Sequence, residues 1–590
     1  MNERTRIALQ ILKYAVVIGI LGNILLRATP WGLNVFLFIA AFVLVFLVLA
    51  RLRRPELLNS QNWALLGAML FFGAMFVWRD SIELRIFDTF AIVSILGVLI
   101  LPTFGVTARV AGASHYIAGL IWAGINSALA PAAILSADID WEKVPGVGRS
   151  KHLFSVLRGL AIALPLVLIF GALFVAADAA YEQMVQRVFN IAPETVFTHV
   201  LLTAIFAWLS AGYFRLTIFG GVPVANAASE PEASEKDASS AETPVSSSVD
   251  KIRAEEISDR NILPGNLSIL EHINKSDPPN TAETPNKNPS TAPAEEKKKW
   301  DWANFDNTSI PRVFTLGAVE SIIILGLVNL LFLSFVIVQL PYLFGGIALV
   351  QSTPDFKLAE YARRGFGELV AAAALVLPML LVSHWLLRKE TQNAEKIYRI
   401  LAALQIALLF VIMASAAQRL LLLTGSLGYG MTTVRFYPMV FMVWLAVVFA
   451  WFAVTVLRNA RNHFAWGALW SAIVILAATN LMNPDAFIAR TNIQLMQQGR
   501  EFDAHYNSSE LSDDALPTVL NALPSLNADG QCLVKWKLHD RLIRSRSETD
   551  VRSWNWSRYA ARQRLEANHF VFDEHAGCPA WMPFPETAGE

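Results

Sequence analysis

Long apolar runs dominate this chain and leave it almost no choice of fold. Eleven of them, each about 17 to 25 residues long, are matched to the thickness of a bilayer's hydrocarbon layer. Within lipid every backbone N–H and C=O must find its partner inside the protein, so each run is expected to close into a helix. The expected architecture is all-α: a polytopic transmembrane helix bundle of about 11 spans, with a small helical C-terminal extramembrane domain.

The spans are expected at 8–27, 31–50, 62–78, 86–103, 154–177, 196–218, 313–339, 366–387, 399–423, 436–457 and 464–481. The first follows Arg4 and Arg6 with no small-x-small cleavage site before the next run, so it reads as an uncleaved anchor. Hydrophobic residues make up 54% of the chain and charged ones 16%, with a formal net charge of zero. That balance argues against a nucleic-acid partner and leaves membrane lipids and envelope proteins as the expected ones.

Lys and Arg are not evenly shared between the loops. With the N-terminus placed in the cytoplasm, and with the long linker and the C-terminal region left out, fifteen fall on the cytoplasmic side and eight on the other. A further apolar stretch, 113–134, tests this count. Treating it as a twelfth span turns fifteen against eight into eleven against twelve, so it is expected to be an interfacial or re-entrant helix, interrupted by His115, Asn126 and Ser127. An odd number of crossings then puts the C-terminus on the outer side.

Four regions follow from composition: a six-span part, 1–222; a disordered cytoplasmic linker, 223–310; a five-span part, 311–482; and an extracytoplasmic helical domain, 483–590. Residues 223–299 contain no Phe, Tyr or Trp and are too polar to build a core. Leu263, Leu267, Leu270 and Ile273 in the linker are spaced for a short amphipathic helix, and Lys297 to Lys299 with Trp300 and Trp302 suit a membrane-surface anchor. No internal repeat supports an inverted-repeat transporter.

In the last region, helices are expected near 486–504, 511–523, 532–546 and 550–568, with Ser512 opening the second and Pro517 kinking or splitting it. Trp536, Trp554, Trp556, Tyr559 and Phe570 offer bulk for a small core. Cys532 and Cys578 can pair if this region faces an oxidising compartment.

Ionisable groups inside apolar spans cost about 2.5 to 3.5 kcal/mol each on insertion scales, so each calls for a reason. Asp88, Glu320, Glu368, His384 and Arg419 are such groups. A proton or cation path would need Glu320 and Glu368 to converge, with Arg419 as counter-charge; interfacial snorkelling and helix cross-linking are the simpler account. Arg363, Arg364, Arg419 and Arg435 gather toward the outer side and suit an anionic headgroup or polyanion. No histidine pair has metal-ligand spacing, no nucleotide loop or hydrolase elbow is present, and His505, His539, His569 and His575 read as surface positions, so neither metal nor cofactor is expected.

The strings QLPYLFGGIALVQSTPDFKLAEYARRGFGELV (339–370), ASAAQRLLLLTGSLGYGMTTVRFYP (414–438) and NLMNPDAFIARTNIQ (480–494) resemble an uncharacterised family of bacterial polytopic membrane proteins, classed as a domain of unknown function. The resemblance covers roughly 80–570. It implies an inner-membrane location and one integrated unit, and it supplies no activity; the strings point either to a shared outer-side site near Tyr342, Gly345, Gly346, Tyr361 and Tyr429 or to the packing of re-entrant turns, the simpler account of the same composition. The expected role is a sensor, scaffold or assembly factor, with an ion-coupled transporter or an enzyme of envelope lipid or glycan as alternatives.

Overall fold

The computed structural model describes residues 3–140, 193–220, 318–351, 366–387, 392–421, 424, 430–458, 460–547, 550–568 and 578. Within these it is all-helical, with no strand, and eleven helices are long and apolar enough to cross a membrane. The expected span at 154–177, the linker and its amphipathic segment, the Lys-Trp anchor, Phe570, His569 and His575 lie outside the described residues.

The first four helices form successive hairpins: α1 (Glu3–Leu26), α2 (Leu33–Arg53), α3 (Ser60–Trp78) and α4 (Ile82–Leu99). Their short connections alternate between two faces of the bundle. The N-terminal face holds the start of α1, the end of α2 and the end of α4; the opposite face, here the cap face, holds the turns 27–32 and 79–81. Antiparallel neighbours follow from such short links.

Next come α5 (Ala113–Ala133) and α6 (Pro193–Phe219). α6 begins near the cap face, where His199 bonds Asn23 at 3.0 Å, and ends on the N-terminal face, where the Arg54 guanidinium donates to Thr217 O. α5 has the length and composition of a span, yet both of its ends make contacts at the N-terminal face. Its first turns lie against Gly97 near the end of α4 and Leu101 just after it, and Asp138, the last residue of the π-helical turn that follows α5, pairs with Arg4. Between them the helix crosses α6 at Gly212, where a Cβ would collide with the carbonyls of Asn126 and Ser127. Gly212 is seven residues from the end of α6, about 10 Å at 1.5 Å per residue, and one turn further in Trp208 donates to Ala128 O at 2.7 Å. Pro131 lies inside this helix, which passes without interruption into the π-helical turn Ile134–Asp138. Both ends of α5 thus lie at one face, although 113–138 has the length and composition of a span.

The second group is α7 (Ala318–Gln351), α8 (Phe366–Leu386), α9 (Gln392–Leu421), α10 (Thr433–Thr455) and α11 (Phe464–Met482). Its core gathers Leu380, Leu409, Val448, Phe449 and Phe452. α11 does not keep to that group: Ile473 packs into the core of α1 to α4, and Phe464 into that of α8 to α10. The two membrane regions of the sequence therefore share a helix. Large apolar residues such as Leu44, Phe90 and Ile400 stay exposed on the outside, as a lipid-facing surface requires.

Four helices beyond α11 form the cap: α12 (Pro484–Gln497), α13 (Leu516–Ala522), α14 (Ala528–Ser547) and α15 (Trp556–Ala567). α13 begins after Ser512, with Pro517 in its first turn where a missing N–H is harmless. Cys532 and Cys578 are joined by a disulfide. The cap core is aliphatic, with Ile488, Leu516, Val534, Leu538 and Leu565, and the start of α10 enters it through Phe436. The expected aromatic core is corrected here: Trp554, Trp556 and Tyr559 are well exposed at 38%, 51% and 43%. His539 is buried rather than on the surface, and His384 is buried against Tyr398.

Candidate functional site

The polar groups that the fold draws together lie where the cap meets the bundle. The 79–81 turn between α3 and α4 is short and carries Arg79, Asp80 and Ser81, so its backbone N–H groups and one guanidinium face the cap. Asp514, between the end of α12 and α13, meets them. Its carboxylate accepts from the N–H of Asp80 at 2.7 Å and of Ser81 at 3.2 Å, and stands 3.4 Å from the Arg79 guanidinium. Both side chains are nearly excluded from water, at 9% and 2% exposure. Arg79 also donates to the last carbonyls of α11, Asn480 O at 2.7 Å and Leu481 O at 3.2 Å, which satisfies a helix end and places a cation at its negative pole.

Asn480 reaches back into the bundle and donates to Asp88 at 2.9 Å, giving that intramembrane acid its partner. Asn483 accepts from Ala486 N as the N-cap of α12, in the left-handed backbone region that asparagine tolerates, and donates to Asp514 O. The next acid, Asp485, accepts from the N–H and hydroxyl of Ser512. Burial pushes the Asp485 carboxyl up to about 6, with the Ser512 hydrogen bonds opposing and the nearby Asp514 and Glu83 charges adding to the rise. Burial likewise raises Asp513 to about 6, helped by Asp80 and opposed by Arg541, which pairs with it at 3.1 Å.

Four further contacts fasten the cap. Asn555 donates to Phe76 O at 2.9 Å and Arg79 O at 2.8 Å, taking up carbonyls at the end of α3. The backbone of Leu33 donates to Trp554 O at 2.8 Å, and a Cβ on the preceding Gly32 would overlap the Ser553 and Trp554 carbonyls, so glycine is what lets the chains touch. Asn492 holds the backbone of Met431 through both amide atoms, at 2.6 and 3.0 Å, while Tyr506 accepts from Thr433 N at 2.7 Å.

On the N-terminal face a smaller cluster closes the bundle. Asp138, whose side chain is fully buried, takes Arg215 at 2.5 Å and Arg4 at 2.7 Å, and both guanidinium groups stack toward the Phe219 ring. This fastens the end of the α5 excursion to α1 and α6.

The residues singled out from sequence do not form one site among the described residues. Glu320 is exposed in the first turn of α7, and no hydrogen bond or ion pair joins it to Arg419, which is buried in the last turn of α9. Arg435, in the first turn of α10, donates to Gly430 O. Arg363, Arg364 and the side chain of Glu368 lie outside the described residues, as do Tyr361, Tyr429 and the side chain of Tyr342; of Gly345 and Gly346 only the helical backbone is described. The described residues contain no group of three or more His, Cys, Asp or Glu placed to hold a metal ion. The Arg79–Asp514–Asn480–Asp88 network was missed because its members are some 400 positions apart. The signal was the pairing of charged turns: Arg79-Asp80-Ser81 beside one span end, and Asn483-Pro484-Asp485 and Ser512-Asp513-Asp514 beyond another.

Fold and junction together define a polytopic helical membrane protein with an extramembrane cap clasped to one face. Sequence comparison agrees: the chain belongs to the family described as Domain of unknown function (DUF4153), which matches residues 66–248 and 288–522, more than half of its length. No curated protein and no solved structure matches it. The matched segments contain Arg79, Asp88, Asn480, Asp485 and Asp514, and end before Trp554, Asn555 and Arg558.

Proposed function

We propose that this protein is a non-enzymatic sensor or scaffold of the bacterial envelope, set in the inner membrane with its N-terminus and linker in the cytoplasm and its cap in the periplasm. The buried Arg79–Asp514 clasp carries the reading, because it ties the cap to the turn between two membrane helices and so links cap position to bundle conformation. Two cap acids with raised pKa stand beside that clasp and give it a response to periplasmic acidity. The positive-inside distribution and the Cys532–Cys578 disulfide support a cap exposed to an oxidising compartment. The linker and the cap would engage envelope partners on opposite sides. The transporter and lipid- or glycan-modifying readings have no comparable observation behind them.

The test is chemical crosslinking in intact membranes, followed by capture of the full chain, comparing the native protein with Asp514→Lys. A sensor or scaffold should yield a defined partner whose recovery falls at least fivefold in the variant. Equal recovery, or no partner in either, overturns the reading.

A further inference from the structure

We infer that the cap and the bundle together build a phospholipid site on the cap face. Leu33 and Phe36 at the start of α2, and Ala74, Val77 and Trp78 at the end of α3, form one wall of an open apolar groove of about 570 Å³; Trp554 and Trp556 of the cap form the other. That volume falls in the range of small-molecule sites, roughly 300 to 1,000 Å³. Trp554, Trp556 and Tyr559 stack edge-on or tilted at 6.2 to 6.5 Å, and they stay exposed although a cap core lies next to them. Exposed indoles at the end of membrane helices are the signature of the lipid headgroup level.

The occupant is argued from two further facts. The groove runs directly into the lipid-facing surface of α2, where Leu37 and Leu44 are 41% and 61% exposed, so an acyl chain can enter from the bilayer without crossing water. Its water side carries guanidinium groups: Arg552 donates to Ile24 O in the last turn of α1, and Arg558 to Trp31 O on the α1–α2 connection, which also carries the exposed Arg27. Arg552 is also paired with Asp550, and Arg558 stands 3.7 Å from Asp80. A phospholipid places its chain against the tryptophans and its phosphate at these guanidinium groups.

The site exists only when the cap is docked, since one wall belongs to each part. A lipid in the groove therefore stabilises the docked state by mass action, and the docked state in turn holds the lipid. This rests on the docked cap of the proposed sensor, and it names the ligand that the junction would read.

The experiment is native mass spectrometry of the full chain in detergent carrying a low mole fraction of dioleoyl phosphatidylglycerol, with hydrogen exchange at 553–559 as the measure of docking. The native chain should retain one phospholipid. Ala74→Phe, which fills the groove, and Trp556→Ala, which removes an exposed wall, should each retain at least tenfold less while 553–559 stays protected. Retention unchanged in both variants with the cap docked overturns the site. Loss of protection in the native chain itself would overturn the docked junction, and with it the function proposed above.

Discussion

Asp514 closes the turn that carries Asp80: across 434 positions of sequence, its carboxylate accepts the Asp80 backbone N–H at 2.7 Å. One side chain of the cap thus does for the α3–α4 connection what an N-cap residue does locally, and it neutralises the Arg79 guanidinium at the same time. Removing it leaves a buried cation and two orphaned donors.

Asp514→Ala should therefore cost about 3 to 5 kcal/mol, the range for breaking one partner out of a buried ion pair. Asp514→Asn, which keeps an acceptor but loses the charge, should cost less. Hydrogen exchange at residues 80–83 and thermal unfolding of the purified chain measure both. Native-like protection in Asp514→Ala would show that the clasp does not hold the cap.

Acidity should tighten the cap. The ordinary Asp value of 3.8 rises to about 6 at Asp485 in the folded chain, so the proton is held more firmly when the cap is docked. The stabilisation is complete below about pH 4 and disappears as pH rises through about 6, amounting to about 2 to 3 kcal/mol at about 1.4 kcal/mol per unit. Asp513 acts in the same direction. Between pH 7.5 and pH 5 the native chain should gain melting temperature relative to Asp485→Asn; parallel pH curves for the two would refute the assignment.

On the other face, Asp138→Ala should destabilise the bundle by about 3 to 5 kcal/mol, since Arg215 would be left buried and uncompensated. The double variant Asp138→Ala, Arg215→Leu should recover much of that loss. Melting in detergent reads both, and additive losses would mean that the pair is not coupled.

Reducing the Cys532–Cys578 bridge, which spans 46 positions, should weaken the cap by up to about 4 kcal/mol in the chain-entropy description. A maleimide should modify these two cysteines in membranes only after reduction. Modification without a reductant would place the cap in a reducing compartment and reverse the proposed orientation.

The helices were legible because hydrophobic length is a local property: the expected 464–481 and the observed Phe464–Met482 differ by one residue at the far end. The expected interfacial or re-entrant placement of 113–134 rested on loop charges alone, and the contact that fixes the end of α5, Asp138 with Arg4 and Arg215, joins three distant segments. The clasp was hidden for the same reason. Asp88 stood out as a costly intramembrane acid, but nothing near it in sequence points to Asn480. Trp554 and Trp556 were read as core because bulky apolar residues of a water-soluble domain usually are; next to a bilayer they have a second solvent to face.

The placement of both ends of α5 at one face has a topological consequence. A segment that leaves by the side it entered adds nothing to the tally of passages through the lipid, so shortening or lengthening it leaves every later helix pointing the same way. Insertions there can reshape the N-terminal side of the bundle without turning the remainder of the molecule upside down.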